Sequence, residues 1–232
     1  YIVPETYAFL QTFRSAFKQV ARPVPLDPAF WTWSLPERRA WFNRQVMVHH
    51  LPQEILPGDL IAGARFNVQT SACLTREETR RRDKLVYGPR GSRAAMLWFH
   101  NHGYGNAGAT SGHLIPDYAR ILRQGWKAVY AELEQALAAL PERERQGPRG
   151  GQLRAMMTAA TMPRDLAAAY ARECRRLAGQ EADPVRRGEL MQMAAQLARV
   201  PWEPARTFWE ALQALWLTHM LVMADENYPG PG

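Results

Sequence analysis

Three histidines are the side chains whose type and spacing could most readily do chemistry. His100 and His102 are two positions apart, so in an extended segment their imidazoles would point the same way, and His113 could fold back towards them. Three imidazoles can bind zinc, but no nearby carboxylate or thiolate completes the set: Cys73 is remote and Asp117 lies beyond a proline. We therefore expect these histidines to hydrogen-bond loop carbonyls, with a metal site as the alternative.

The glycines of the same stretch form a second candidate. Gly103-Tyr104-Gly105-Asn106-Ala107-Gly108 matches G-x-G-x-x-G, the pattern of a dinucleotide-binding turn. Such a turn opens directly into an apolar helix, whereas Gly112 and Pro116 keep this stretch irregular, and no second strand with an acidic end follows. We do not predict a nucleotide site. The glycines instead predict a close approach of the backbone to packed chain or to a ligand.

The sequence shows no self-contained site for nucleophilic catalysis. Cys73 and Cys174 are far apart, form neither a disulfide framework nor a metal knuckle, and have no adjacent histidine. Two isolated cysteines favour a reducing compartment, and we expect the cytoplasm. His219 lies on an apolar helical stripe, where we expect a hydrogen-bonded core histidine and not a ligand.

Composition and charge exclude several classes of protein to which this chain could belong. The chain has 232 residues, of which 47% are hydrophobic and 22% charged, which excludes a disordered or coiled-coil protein. The formal net charge is +7, and the densest basic cluster runs over residues 76–93 with Glu77, Glu78 and Asp83 among its arginines. We expect a solvated helix face there, with nucleic-acid binding as the alternative. The apolar run over residues 211–224 is too short to span a bilayer, so no membrane segment is predicted.

Hydrophobic residues repeat with the helical period along most of the chain, which predicts a mainly α structure. The predicted helices cover residues 9–20, 34–51 with Ser34 as N-cap, 116–140, 153–177 with a kink or break at Pro163, 183–198 and 204–224. The last of these is apolar on nearly all faces and should be buried on most of them.

The connecting segments have a different composition. A turn signal at Pro57-Gly58-Asp59 precedes a short apolar run over residues 60–63 that suits a strand or a buried connection. Residues 94–99 form a second short apolar run, and the polar stretch 142–151 predicts a flexible loop.

Four segments are recognisable when they are taken together. They are Pro57-Gly58-Asp59-Leu60-Ile61-Ala62-Gly63; Gly112-His113-Leu114-Ile115-Pro116-Asp117-Tyr118 with Ile121, Leu122 and Gly125; Arg186-Arg187-Gly188-Glu189-Leu190 before Val200-Pro201; and Ala205-Arg206-Thr207-Phe208-Trp209-Glu210-Ala211-Leu212-Gln213 with residues 216–219. In order and spacing, over residues 55–227, they resemble the glycyl radical enzymes of the pyruvate formate-lyase and glycerol dehydratase type.

The resemblance implies a fold larger than this chain. Family members are several-fold longer and form a ten-stranded α/β barrel of two half-barrels wrapped by helices. Residues 1–232 would then be the N-terminal, incomplete part of one such domain, contributing outer helices and the first barrel elements. The sequence begins at Tyr1 without an initiator methionine and stops at Gly232 shortly after an apolar helical segment, as we expect of an incomplete domain.

The resemblance also implies a reaction that this chain cannot perform alone. A radical S-adenosylmethionine iron–sulfur activase converts a glycine of such enzymes to a radical, which generates a cysteine thiyl radical that breaks a C–C or C–heteroatom bond. Cys73 and Cys174 do not fit the family's Cys-x-Glu pattern, and no Arg-Val-x-Gly motif occurs. The catalytic cysteine and the radical glycine would therefore lie outside this chain.

One site residue carries over from the resemblance. In the dehydratase-like members the histidine of the Gly-His motif binds a substrate hydroxyl, which implies that His113 is substrate-binding. Asp225-Glu226-Asn227 stands where those members have Glu-Ser-Asn-Gly followed by a histidine, and no histidine follows it here. Glycerol or propanediol is therefore not the expected substrate. The implied partners are a small-molecule substrate, the activase, the remainder of the barrel and a second copy in a homodimer.

Overall fold

The structure is a computed structural model that describes residues 24–50, 53–63, 73–104 and 114–226. Within those ranges the chain is helical and has no β-strand, so the prediction of a mainly α chain is confirmed there and the expected first barrel elements are not represented. The helices are α1 (Leu35–Gln45), α2 (Arg76–Tyr87), α3 (Ser92–Asn101), α4 (Tyr118–Ala138), α5 (Glu142–Arg145), α6 (Pro148–Ala178), α7 (Pro184–Leu197) and α8 (Phe208–Glu226). A 3-10 helix (Pro28–Thr32) precedes α1, and a π-helix (Val46–His50) follows it.

Helix α6 is the centre of the packing. It contacts α1, α4, α5, α7 and α8. Its residues Ala167, Ala171, Cys174 and Ala178 are all buried, and their spacing places them on one face. Side chains this small let a neighbouring helix approach closely, so this face joins the core cluster that also holds Met193 of α7 and Leu217 of α8.

Several predicted boundaries agree with the structure. Ser34 stands at the N-cap of α1, where its backbone N–H donates to Glu37 at 3.3 Å. Asp183 caps α7 by accepting from the Val185 amide at 3.0 Å. The last helix begins at Phe208 and not at Pro204, because Thr207 caps it by accepting from the Glu210 amide at 3.1 Å. The predicted helix over residues 9–20 lies outside the described residues.

The prediction of a flexible loop over residues 142–151 is wrong. This stretch contains α5 and the first residues of α6. A β-carbon at Gly150 would lie 1.8 Å from the Arg145 carbonyl oxygen, so the glycine is needed for close backbone approach and does not indicate flexibility. Arg145 donates to the Leu140 carbonyl at 3.0 Å, which ties α5 to the end of α4.

One further prediction is narrowed. Helix α6 runs unbroken through Pro163, so of the predicted kink or break, the break into two helices does not occur. The apolar run 94–99 belongs to α3, and its Trp98 and Phe99 are exposed. Neither α2 nor α3 contains a buried residue.

Candidate functional site

Helix α8 holds the segment 60–63 through side chains at its surface. Trp209, Gln213 and Trp216 are spaced four and three residues apart, so they lie on one face of α8. The Trp209 indole donates to the Leu60 carbonyl at 2.6 Å, and the Trp216 indole donates to the Gly63 carbonyl at 3.0 Å. Residues 60–63 therefore form a connection docked on α8 and not a strand, and of the four only Ala62 is buried, whereas Leu60 is exposed.

Gln213 supplies the centre of this arrangement. Its amide oxygen accepts from the Ala62 N–H and its amide nitrogen donates to the Ala62 carbonyl, both at 2.8 Å. Both residues are fully buried. A side-chain amide thus satisfies backbone groups that a neighbouring strand would otherwise satisfy. The signal in the sequence was a glutamine in the middle of an apolar helix, which the sequence analysis did not single out.

Gly63 meets α8 where no other residue would fit. Its φ is +130°, a backbone conformation that side-chain-bearing residues rarely adopt. A β-carbon there would lie 2.9 Å from the Trp216 indole nitrogen. The segment and the helix are therefore matched at this position by shape as well as by hydrogen bonds.

Gly125 interrupts α4 and receives the segment that precedes α8. Its φ is +73°, and a β-carbon would lie 2.1 Å from the Trp202 carbonyl oxygen. The amides just after the interruption turn outwards: Trp126 donates to the Pro201 carbonyl and Lys127 to the Trp202 carbonyl, each at 3.0 Å. The interruption of α4 at Gly125 is therefore in direct contact with residues 201 and 202, so two motifs that are separate in the sequence meet here.

Tyr118 and His219 connect the start of α4 to α8. The Tyr118 hydroxyl and His219 Nδ1 are 2.7 Å apart, and the Trp216 and His219 rings are stacked with centroids 5.8 Å apart. Burial raises the pKa of the Tyr118 phenol, which stays protonated at neutral pH. His219 is hydrogen-bonded as expected, but it is half-buried and does not belong to the core. Residues from three of the four sequence motifs thus meet along α8.

The predicted substrate ligand, His113, lies outside the described residues, as do the side chains of residues 225–227. Among the histidines of the metal alternative, His102 is hydrogen-bonded through Nδ1 to the Trp98 carbonyl at 2.7 Å, and His100 is exposed. No group of three potential metal ligands is found among residues 24–50, 53–63, 73–104 and 114–226.

The glycine motif has a local explanation at its first position. Gly103 follows a helix and not a strand, and its φ is +72°. The Gly103 amide donates to the His100 carbonyl and the Tyr104 amide to the Phe99 carbonyl, the pattern of a glycine that ends a helix. Nothing lies within 4 Å of a β-carbon built there, so Gly103 does not approach packed chain within the described residues, and approach to a ligand stays a prediction.

The basic cluster is distributed over an exposed helix. Glu78, inside the cluster, pairs with Arg38 at 2.6 Å, and the Arg38 hydrogen bond holds the pKa of the Glu78 carboxyl below its usual range. Arg82 pairs with Asp83 at 2.7 Å. The interleaved charges partly neutralise one another, which agrees with the expected solvated face and gives the nucleic-acid alternative no support.

Both cysteines are free and buried. Burial raises the pKa of the Cys174 thiol to about 11, so it is a neutral thiol at physiological pH. The protonated Cys174 thiol is therefore a poor nucleophile at that pH.

An open groove of about 790 Å³ lies among α1, α4, α6 and α8. Its described lining is mainly apolar, with Val129, Leu133, Met156 and Leu221 among its members, and contains no carboxylate and no histidine. The groove suits an apolar segment or ligand, but it lacks the titratable pair that acid–base chemistry requires.

No described helix is long and apolar enough to cross a membrane.

Comparison with known proteins gives a family match over most of the C-terminal part of the chain. The model of the family described as "Pyruvate formate lyase-like" matches residues 94–230. An isethionate sulfite-lyase from Desulfovibrio desulfuricans is 36% identical over 117 residues, which cover 49% of this chain and 14% of that protein. A (2S)-3-sulfopropanediol dehydratase from Klebsiella oxytoca is 30% identical over 142 residues, covering 60% and 17%.

A shorter stretch is more similar to a third protein. An indoleacetate decarboxylase from Tractidigestivibacter scatoligenes is 54% identical over 56 residues, which cover 24% of this chain and 6% of that protein. The matched part of this chain therefore spans only 6% to 17% of the length of these curated relatives.

Solved structures share the fold. A glycyl radical enzyme from Archaeoglobus fulgidus superimposes with a TM-score of 0.63 at 19% identity, over 93% of this chain and 34% of that one. The glycerol-bound B12-independent glycerol dehydratase from Clostridium butyricum has the same TM-score at 17% identity, over 93% and 31%. The family match extends over more than half of the sequence, and the chain belongs to the pyruvate formate lyase-like family.

Proposed function

We propose that this chain is the N-terminal part of a glycyl radical lyase or dehydratase. The observation that carries the proposal is the family match over residues 94–230. The contacts of Ala62, Tyr118 and Gly63 with α8 support it, because residues of separate motifs are packed against one helix. In the whole protein these helices would form outer layers of the barrel and part of the pocket wall.

The reaction itself would depend on residues that this sequence does not contain. A glycyl radical, installed by a radical S-adenosylmethionine activase, supplies hydrogen-atom abstraction through a cysteine. The sequence has no Cys-x-Glu and no Arg-Val-x-Gly. This chain's own contribution is proposed to be binding, with His113 donating or accepting a hydrogen bond at a substrate hydroxyl.

We propose an organic anion as the substrate. The relatives with the matches described above are named for isethionate, sulfopropanediol and indoleacetate, each of which carries a sulfonate or a carboxylate. The absence of a histidine after Asp225-Glu226-Asn227 argues against glycerol or propanediol. The proposed partners are the activase, the remainder of the barrel and a second copy, in an anaerobic cytoplasm where free thiols persist.

The test begins with the reading frame beyond Gly232, which should encode a Cys-x-Glu loop and a glycine-radical loop. The whole gene product is then activated without oxygen and given isethionate, indoleacetate and glycerol. We expect one of the two organic anions to be consumed, with release of sulfite from isethionate or carbon dioxide from indoleacetate. Glycerol should remain unconsumed. A stop codon in a complete gene, or an activated protein that consumes none of these, would contradict the proposal.

His113 has its own test in the same assay. With isethionate, the anion of the assay that carries a hydroxyl, His113→Ala should raise KM at least about 10-fold, the loss expected for a substrate hydrogen bond left unmade. The matched control is His100→Ala, an exposed histidine of the neighbouring helix. Equal effects of the two substitutions would remove His113 from the binding site.

A further inference from the structure

The first turn of α4 has two separate anchors. Asp117 caps it locally by accepting from the Arg120 amide at 2.9 Å, and the Ile121 amide donates to the Asp117 carbonyl at 3.1 Å. Tyr118 anchors it across the fold, because its hydroxyl lies 2.7 Å from His219 Nδ1 and the two rings are stacked with centroids 6.3 Å apart. One hydroxyl therefore links α4 to a helix 101 residues further along the chain.

His219 is held in place by its own neighbours. It lies three residues after Trp216, whose ring is parallel to the imidazole within 16°. Trp216 is fixed in turn by its hydrogen bond to the Gly63 carbonyl at 3.0 Å. Whichever tautomer the imidazole adopts, one of the Tyr118–His219 groups can donate to the other, so this link does not depend on which ring nitrogen carries the proton.

We propose that Tyr118 and His219 are a positioning pair. Their bond anchors the first turn of α4 on α8, directly after residues 114–117, which connect that turn to His113 in the sequence. Neither residue contacts the substrate in this proposal. The inference rests on the proposed function for its effect on substrate binding, while the anchoring itself concerns only described residues.

The pair predicts a separation between binding and chemistry. Losing one neutral hydrogen bond changes a local equilibrium by about 3- to 10-fold. Breaking the pair should therefore raise KM by about that factor and leave kcat and the glycyl radical content unchanged. A residue needed only for folding would lower the amount of activated enzyme instead.

Three substitutions test the pair, and one serves as a control. Tyr118→Phe and His219→Leu remove the bond, whereas His219→Asn keeps a hydrogen-bonding atom attached to Cγ, where Nδ1 stands. Tyr130→Phe is the matched control, because Tyr130 is a half-buried tyrosine of the same helix, and its ring contacts the Trp202 ring in a tilted arrangement with centroids 5.8 Å apart.

The first measurement uses the 232-residue chain. Hydrogen exchange at the Arg120 and Ile121 amides should be faster by about 3- to 10-fold in Tyr118→Phe and His219→Leu, near the unmodified rate in His219→Asn, and unchanged in Tyr130→Phe. Exchange in α7 should not change in any of them. Unchanged exchange in both bond-breaking variants overturns the positioning pair.

The second measurement uses the activated whole enzyme. A higher KM in both bond-breaking variants, restored by His219→Asn, supports the proposal. Faster exchange with an unchanged KM overturns the claim that the pair positions substrate. If the unmodified enzyme forms no glycyl radical, the proposed function fails, and the exchange data still decide whether the pair anchors α4.

Discussion

The side-chain amide of Gln213 makes two hydrogen bonds to the backbone of Ala62, one in each direction and both 2.8 Å long. Each residue is fully buried. The arrangement satisfies the N–H and the carbonyl of a chain segment that has no strand beside it within the described residues. It makes Gln213 the polar residue on which the docking of residues 60–63 depends most directly.

Replacing Gln213 by leucine should destabilise the chain strongly. Leucine has a similar size, but it would leave two buried backbone groups of Ala62 without partners, at about 2 to 5 kcal/mol in total. Urea unfolding followed by circular dichroism measures the loss. Gln192→Leu, at an exposed position of α7, should change the free energy of unfolding by less than about 0.5 kcal/mol. Similar effects of the two substitutions would show that the Ala62 bonds contribute little.

Two glycine-to-alanine substitutions should have opposite effects on the stability of the folded chain. Gly125→Ala places a β-carbon 2.1 Å from the Trp202 carbonyl oxygen at a φ of +73°, and should cost about 3 kcal/mol or more. Gly188→Ala, within α7 and with nothing inside 4 Å, should stabilise by about 0.5 to 1 kcal/mol. Thermal unfolding of both variants is the measurement. A Gly125→Ala chain as stable as the unmodified one would contradict the account of the α4 interruption.

Asp165 should contribute to stability in a pH-dependent way. Its burial tends to raise the pKa of the carboxyl, but hydrogen bonds from Arg164 at 2.8 Å and from Arg44 at 2.9 Å outweigh burial and lower the pKa. Because the folded pKa lies below the unfolded value near 4, the stabilisation is present above about pH 4 and is lost as the pH falls through the folded pKa.

Asp165→Asn should therefore destabilise by about 1 to 2 kcal/mol at pH 7 and by much less at pH 2. Urea midpoints at the two pH values give the comparison. Glu134→Gln, at an exposed position of α4, is the control and should differ little from the unmodified chain at both. A deficit of Asp165→Asn that is the same at pH 7 and pH 2 would rule out the ionised pair as its cause.

The 232-residue chain should self-associate. Phe208 is 78% exposed, and Leu212 and Leu215 lie on the same stripe of α8, each 36% exposed. Phe208→Asp combined with Leu212→Gln should shift the chain towards monomer, as measured by size exclusion with light scattering. Val185→Asp, which removes an isolated exposed apolar side chain of α7, should have no such effect. An unmodified chain that is monomeric at all concentrations would contradict this prediction.

The helices of this chain could largely be predicted from its sequence, because the apolar period and the caps at Ser34 and Asp183 are local signals. The errors arise where distant backbone decides the conformation. Gly150 looked like a flexible loop because its contact with the Arg145 carbonyl is not visible in the sequence. Residues 60–63 could not be distinguished from a strand, because their partner is Gln213, which lies 151 residues beyond Ala62.

For the candidate site, too, the residues could be identified in the sequence but their long-range contacts could not be predicted. The motif residues Tyr118, Gly125 and Gly63 were identified in the sequence, but their contacts with α8 and with the segment before it were not. Trp209 and Gln213 were seen only as parts of a motif, because no periodic pattern shows that a side chain binds backbone. The role of His113 stays a prediction.

The central claim, that this chain belongs to a working glycyl radical enzyme, is tested most directly by electron paramagnetic resonance. The whole gene product is expressed in two samples, one with ordinary glycine and one with glycine deuterated at Cα. Each sample is then activated without oxygen. The account predicts an organic radical signal whose splitting collapses in the deuterated sample, because the splitting comes from the α-hydrogen of the radical glycine. No radical after activation, or a splitting that deuteration leaves unchanged, would contradict it.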